Sequence, residues 1–351
     1  MKKAFSLVIA LVMSAMLFIG CEKTPDVIEA TTAVSSSDIP ETEATTTVAE
    51  TDAQIPTEKL ITLSGNADDK FIADEYCYAE GERVVIYFEE GVEVRGDMIK
   101  IAEQVMSELE DYTGLKYSRN FRGNRFFPIY FFEPEMKIFK NVNSDFKKVN
   151  IYVVDLGKSL AYANDKGCVV ESEDFDFDES SWQTLYHELS HVLHMKNGVT
   201  IGSTLSEGFA IYTKYETMKK SKKASWSTVQ YFGNDKIGAD ILSKENAGFQ
   251  YVFDEREPNY QYGFRFVTFI CETYGDDAII KIINDATEER FDSTIYDMET
   301  ENFKETNEQM IKIIKRNTSD DVFVKFAEWV PVNWPKEEQE FWDYMKSIGA
   351  A

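Results

Sequence analysis

Apolar positions change their period near residue 180. Before it, apolar residues alternate or run unbroken. "RVVIYF" (Arg83–Phe88), "VNIYVVDL" (Val149–Leu156) and "GCVVE" (Gly167–Glu171) are short β-branched and aromatic runs, the composition of strands. "FFPIYFF" (Phe126–Phe132) has the same character, and Pro128 puts it at an edge or bulge. One helix interrupts these strands: Met98, Ile101, Ala102, Val105, Met106 and Leu109 recur at helical spacing until Gly114. After Ser180 the period is helical. "WQTLYHELSHVLHMKNG" (Trp182–Gly198) predicts a helix of about four turns, started by a Ser180–Gln183 capping box and stopped at Asn197-Gly198. Further helices are predicted from about Thr204 and over Tyr260–Tyr274, Asp276–Asn284, Asn307–Lys315, Asp320–Trp329 and Glu337–Ile348. Strands first and helices after predict an α+β fold, with parts 59–180 and 181–351 forming one unit.

Residues 1–20 pattern differently. Lys2 and Lys3 precede an almost purely apolar run from Ala4 to Ile19, the form of a secretory signal. The following "LFIGC" resembles a bacterial lipobox with Cys21 as the lipidated residue, which implies a membrane anchor and an extracytoplasmic location; Phe18 stands where such boxes usually carry leucine. An uncleaved anchor or ordinary secretion is the alternative. From Glu22 to Glu58 the chain is Thr, Ser, Ala and acid without an aromatic residue, too polar to bury a core, so residues 21–58 read as a tether.

The net charge of -25 argues against nucleic acid as a partner, since a phosphate-binding surface needs a basic stripe. Cys77, Cys168 and Cys271 lack a metal-knuckle spacing and allow at most one disulfide. Lys214, Lys219, Lys220, Lys222 and Lys223 form the main basic cluster, expected to solvate a helix end or to meet an anionic polymer. "EDFDFDES" (Glu173–Ser180) has a calcium-like rhythm, but Glu179 and Leu185 occupy the places where an EF-hand needs glycine and glutamate.

Histidine usage is the most selective feature. All 3 histidines, His187, His191 and His194, lie in one predicted helix. "HELSH" is an H-E-x-x-H motif. Residues i and i+4 share a helix face, so His187 and His191 can reach one Zn²⁺, and Glu188 can act as general base on a water beside it. His194 lies two turns from His187, roughly 10 Å along the axis, too far to share an ion, and is expected to pack or to support a ligand from behind. Asn197 occupies the place where the longer three-histidine motif carries its third ligand. A catalytic zinc needs a third protein ligand, and Glu207, at the start of the next helix, is the best candidate. The competing reading makes Glu207 the end of a Thr204–Glu207 capping box.

"HELSH" followed by "LSEGFAIY" (Leu205–Tyr212) resembles the gluzincin metallopeptidases, in particular their aminopeptidase-like branch. That resemblance implies a zincin-like catalytic unit, Zn²⁺ as cofactor, a peptide or protein substrate, and Glu207 as third ligand. Ser206 stands where the branch often has asparagine, and the interval from His191 to Glu207 is shorter than usual. "YQYGFRFVTFICETYG" (Tyr260–Gly275) is similar to the family's Tyr-x-x-Gly helix, implying Tyr260 as donor to the oxyanion, with Tyr262 as its rival. The family's Gly-x-Met-Glu-Asn strand has no match; Glu171 in "GCVVES" is the nearest residue, and a plain edge strand is the alternative. The expectation is therefore a zinc-dependent peptidase, endo- or exo-acting, tethered outside the membrane. The alternative is a non-catalytic surface lipoprotein, an adhesin or peptide binder, that keeps a structural zinc.

Overall fold

The computed structural model describes residues 59–117, 147–155, 161–163, 167–171, 179–197, 201, 203–232, 260–289 and 302–350. The signal, Cys21, the tether, the strand expected over 126–132 and most of the acidic run 173–180 lie outside them.

Eight strands are described: β1 (Lys59–Leu60), β2 (Lys70–Ile72), β3 (Cys77–Glu80), β4 (Val84–Phe88), β5 (Glu93–Arg95), β6 (Val149–Val154), β7 (Ala161–Ala163) and β8 (Gly167–Glu171). Six form one sheet in the order β1-β3-β4-β6-β8-β7, and β2 and β5 pair separately. β4, β6 and β8 run parallel at its centre, with Ile86 opposite Ile151 and Ile151 opposite Cys168. Parallel strands are covered on both faces, which explains their unbroken apolar sequences. Val84, Ile86, Phe88, Ile151, Val153, Cys168 and Val170 face the main core. Val85, Tyr87, Tyr152, Val154 and Val169 face the other way, where Tyr78, Tyr87 and Tyr152 stack in a row. β7 runs antiparallel outside β8, so β8 is not an edge strand, and Glu171 at its end is buried.

Seven helices are described: α1 (Met98–Thr113), α2 (Glu179–Lys196), α3 (Ser203–Lys220), α4 (Tyr260–Tyr274), α5 (Asp277–Glu288), α6 (Asn302–Asn317) and α7 (Val322–Ser347). A 3-10 helix, Trp226–Tyr231, follows α3. The architecture is α+β, strand-rich before residue 180 and helical after it. α1 ends as expected, with Gly114 at φ 71 and its N–H donating to Glu110 O. α2 packs on α1 and on the β7–β8 side of the sheet. At its C-terminus the Asn197 amide side chain donates to Leu193 O at 2.8 Å.

Two expectations at the helix ends are corrected. α2 begins at Glu179, so Ser180 lies inside it, and the Gln183 side-chain oxygen instead accepts from Ser227 N at 2.7 Å. The two helices expected over 320–348 are one helix, α7, which continues through Pro331 and Pro335. A proline inside a helix costs about 3 kcal/mol. Burial of Phe326, Val330, Trp334 and Phe341 along one face offsets it, with Trp334 stacked on Phe232 at 5.1 Å.

α3 and α4 cross in backbone contact. A Cβ on Gly208 would lie 2.2 Å from Gly263 O, and one on Gly263 would lie 2.0 Å from Thr204 O. No larger residue fits at either point. The crossing lies next to Glu207 on α3 and one turn after Tyr260 on α4.

Candidate metal centre

His187 and His191 project from one face of α2, and Glu207 reaches back to them from the first turns of α3. His187 Nε2 lies 3.1 Å from Glu207 Oε2, His191 Nε2 lies 3.3 Å from the same oxygen, and the two imidazole nitrogens are 3.2 Å apart. These three atoms form a nearly equilateral triangle. A tetrahedral zinc with ligands at about 2.0–2.1 Å separates its donors by roughly 3.4 Å. Two imidazole nitrogens and one carboxylate oxygen at that spacing fit one face of such a site, and this is the one group of metal-ligating type found among the described residues. Glu207 therefore does not serve as the end of a capping box: α3 already begins at Ser203, and the carboxylate turns to the histidines.

His194 supports His191 from behind. His191 Nδ1 is 3.1 Å from Ser206 Oγ and 3.2 Å from His194 Nε2, and Ser206 Oγ is 2.8 Å from that same His194 nitrogen. If His191 Nε2 offers its lone pair to a cation, Nδ1 must carry the proton, and these two atoms are its acceptors. His194 is fully buried, edge-on to Phe209 at 5.7 Å. Ser206, which stands where the resembling family often has asparagine, thus has a concrete task that sequence reading missed. Its only signal was its place beside Glu207.

The electrostatics set the roles apart. Burial raises Glu207, but the His191 charge and the hydrogen bonds from both imidazoles outweigh it and hold the carboxyl well below the usual range. Burial pushes His187 down to about 4, while the Glu207 carboxylate outweighs burial at His191 and raises it. Glu188 is 6% exposed and takes no part in the triangle. Burial pushes its carboxyl up to about 7, a value suited to taking and giving a proton near neutrality.

Lys214 corrects the view of the basic cluster. It is 3% exposed, on the face of α3 two turns beyond Glu207. Its Nζ donates to Ser227 Oγ at 2.7 Å, burial pushes it down to about 8, and Glu188 and Glu207 oppose that shift. Lys223 also leaves the solvated face: its Nζ lies 3.2 Å from Glu108 Oε2 and 2.6 Å from the Tyr186 hydroxyl, which itself donates to Glu108.

Tyr260 is 41% exposed. Burial raises its phenol to about 12, and the charges of Glu207 and Glu188 add to the shift. Tyr262 is fully buried, packed against Phe326 at 5.3 Å and Phe266 at 6.4 Å, which leaves it a core residue. Tyr231, on the 3-10 helix, was not singled out by its sequence context. It stacks on Tyr260 at 6.3 Å. Cys77, Cys168 and Cys271 are all buried free thiols, so none of the three forms a disulfide.

No protein-family model matches the chain, and no curated protein does. A solved structure described as that of a functionally unknown conserved protein mutant from Bacillus anthracis str. Ames is similar at 11% identity and a TM-score of 0.43. The match covers 81% of this chain and 56% of that one, so this chain spans little more than half of that protein's length.

Proposed function

We propose that the protein is a zinc-dependent metallopeptidase of gluzincin type, held outside the cytoplasm by a lipid on Cys21. The observation that carries the reading is the triangle of His187, His191 and Glu207 donors with the buried Glu188 carboxylate beside it. A purely structural zinc site has no need of a second, uncommitted acid next to its ligands.

When bound, zinc supplies Lewis acidity that lowers the pKa of a water and polarises a carbonyl. His187, His191 and Glu207 hold it, and Ser206 and His194 fix the tautomer and tilt of His191. Glu188 accepts the proton that water loses as its oxygen attacks the scissile carbonyl carbon. The same carboxyl then returns that proton to the departing amine nitrogen as the C–N bond breaks, so one water is added across the peptide bond. The Tyr260 hydroxyl donates to the carbonyl oxygen as negative charge develops there.

Glu188→Gln is the direct test. The variant keeps the ligands and loses the base. Zinc content should stay at the wild-type level while hydrolysis of a mixed peptide library, read by mass spectrometry, falls by at least about 1,000-fold. Undiminished cleavage by the variant refutes the role of Glu188. One zinc per wild-type chain with no cleavage favours the structural-zinc alternative.

A further inference from the structure

The 3-10 helix Trp226–Tyr231 is tied to all three helices of the site. On α2, Gln183 lies one turn before His187, and its side-chain oxygen accepts from Ser227 N at 2.7 Å. On α3, Lys214 lies two turns beyond Glu207, and its Nζ donates to Ser227 Oγ at 2.7 Å. On α4, the Gln261 amide next to Tyr260 donates to Gln230 O at 3.2 Å. The arm is also closed internally, with the Ser225 and Thr228 hydroxyls 2.6 Å apart in a buried position. These ties fix the one residue at its end, Tyr231. Its ring lies nearly parallel to that of Tyr260, at 21° and 6.3 Å, and edge-on to Phe264 at 6.3 Å. The Lys214 ammonium sits 5.7 Å from its ring centre, on a stem buried in the same wall. Burial raises the Tyr231 phenol, a hydrogen bond with the Gln230 side chain opposes the shift, and the Glu207 and Glu188 charges add to it.

A segment anchored at three points, each within two turns of a site residue, is built to hold a position. A loop that only filled space would need no buried lysine to hold it, since burying an ammonium is costly unless it is partnered. We propose that Tyr231 is a second catalytic phenol: its hydroxyl hydrogen-bonds the reacting carbonyl group of the peptide beside Tyr260, and the Gln183–Ser227–Lys214 chain positions it. This rests on the peptidase reading above.

The proposal separates the hydroxyl of Tyr231 from its ring. Tyr231→Phe keeps the stacking on Tyr260 and removes only the donor. In the zinc-loaded full chain it should lower kcat by about 10- to 100-fold with KM little changed, while zinc content and melting temperature stay at wild-type values. Tyr231→Phe combined with Tyr260→Phe should lose less than the product of the two single losses, because both donors serve one group. Affinity for a phosphinic peptide, whose tetrahedral phosphorus mimics the reacting carbon, should fall by about tenfold or more in Tyr231→Phe. Wild-type turnover with an unchanged Tyr231→Phe variant overturns this inference and leaves the peptidase reading standing. A zinc-loaded wild type that neither cleaves peptides nor binds the phosphinic peptide removes both.

Discussion

At the residue scale, the candidate site is defined as much by what stands behind His187, His191 and Glu207 as by those three residues. Ser206 Oγ bridges His191 Nδ1 and His194 Nε2 at 3.1 and 2.8 Å. Losing such a partner costs a metal site about 10- to 100-fold in affinity, because the imidazole can then turn or take the wrong tautomer. Ser206→Ala should therefore weaken zinc binding by that factor in a chelator competition while the fold stays intact; unchanged affinity would leave Ser206 as packing only. The pairing of His187 with His191 was legible in the sequence because H-E-x-x-H fixes a face of a single helix, and that geometry is local. Glu207 could be named only as a candidate, by its place at the start of the next helix and by the resemblance, since it lies 16 residues from His191 and only the packing of α3 on α2 brings it back. Lys214 and Tyr231 were not legible. A lysine among lysines looks solvated, and one tyrosine among 18 carries no pattern until its neighbours in space are known.

At the element scale, the placement of the site depends on the α3–α4 crossing. Glu207-Gly208 and Tyr260-x-x-Gly263 pair a candidate site residue with a glycine on each helix, and the two glycines meet. Gly263→Ala would drive a methyl to 2.0 Å from Thr204 O, so the helices must part. Overpacking of this kind costs about 1–3 kcal/mol, and more where backbone cannot yield. The variant should melt several degrees below wild type and lose peptide hydrolysis beyond what its remaining zinc content accounts for, since Tyr260 moves with α4. A variant with wild-type melting temperature and activity would show that the crossing does not set the site. Sequence periodicity found α1 because it buries a stripe of apolar residues, whereas α4 is buried continuously from Tyr262 to Cys271. It divided α7 because Pro331 and Pro335 stop a helix locally, and only the face from Phe326 to Phe341 keeps it continuous. The Ser180–Gln183 pair fitted a capping pattern, yet Gln183 is claimed by the 3-10 helix, a tertiary use that no local pattern records.

At the scale of the whole molecule, the sheet order was not legible. β1, β2, β5 and β7 have only two or three residues each, too short to show a period, and the parallel pairing of β4, β6 and β8 depends on connections between them. The division into strands and then helices was legible because it is a change of period over the full chain. That division has a thermodynamic consequence. A metal held as proposed would join α2 to α3 in the helical half, so its binding energy would enter the stability of the folded state. At 100-fold excess over its Kd, a ligand that binds only the native state adds about 2.7 kcal/mol. The term must depend on pH. Zinc binds an imidazole only without its proton, and the Glu207 carboxylate raises the pKa of His191 above its ordinary value. Above that raised pKa zinc displaces no proton from His191, and the full stabilisation is present. Below it zinc must displace a proton, and each further unit of pH costs about tenfold in affinity, or about 1.4 kcal/mol of stabilisation while zinc stays in excess of its Kd. His187, pushed down to about 4, adds no such competition near neutrality. The melting temperature of zinc-loaded protein should therefore exceed that of chelator-treated protein at pH 8, and the gap should narrow as pH falls, beginning above the ordinary histidine range near 6.5. Calorimetry of both forms between pH 8 and pH 5 reads this directly. A gap that stays constant across that range would exclude ligation by His191.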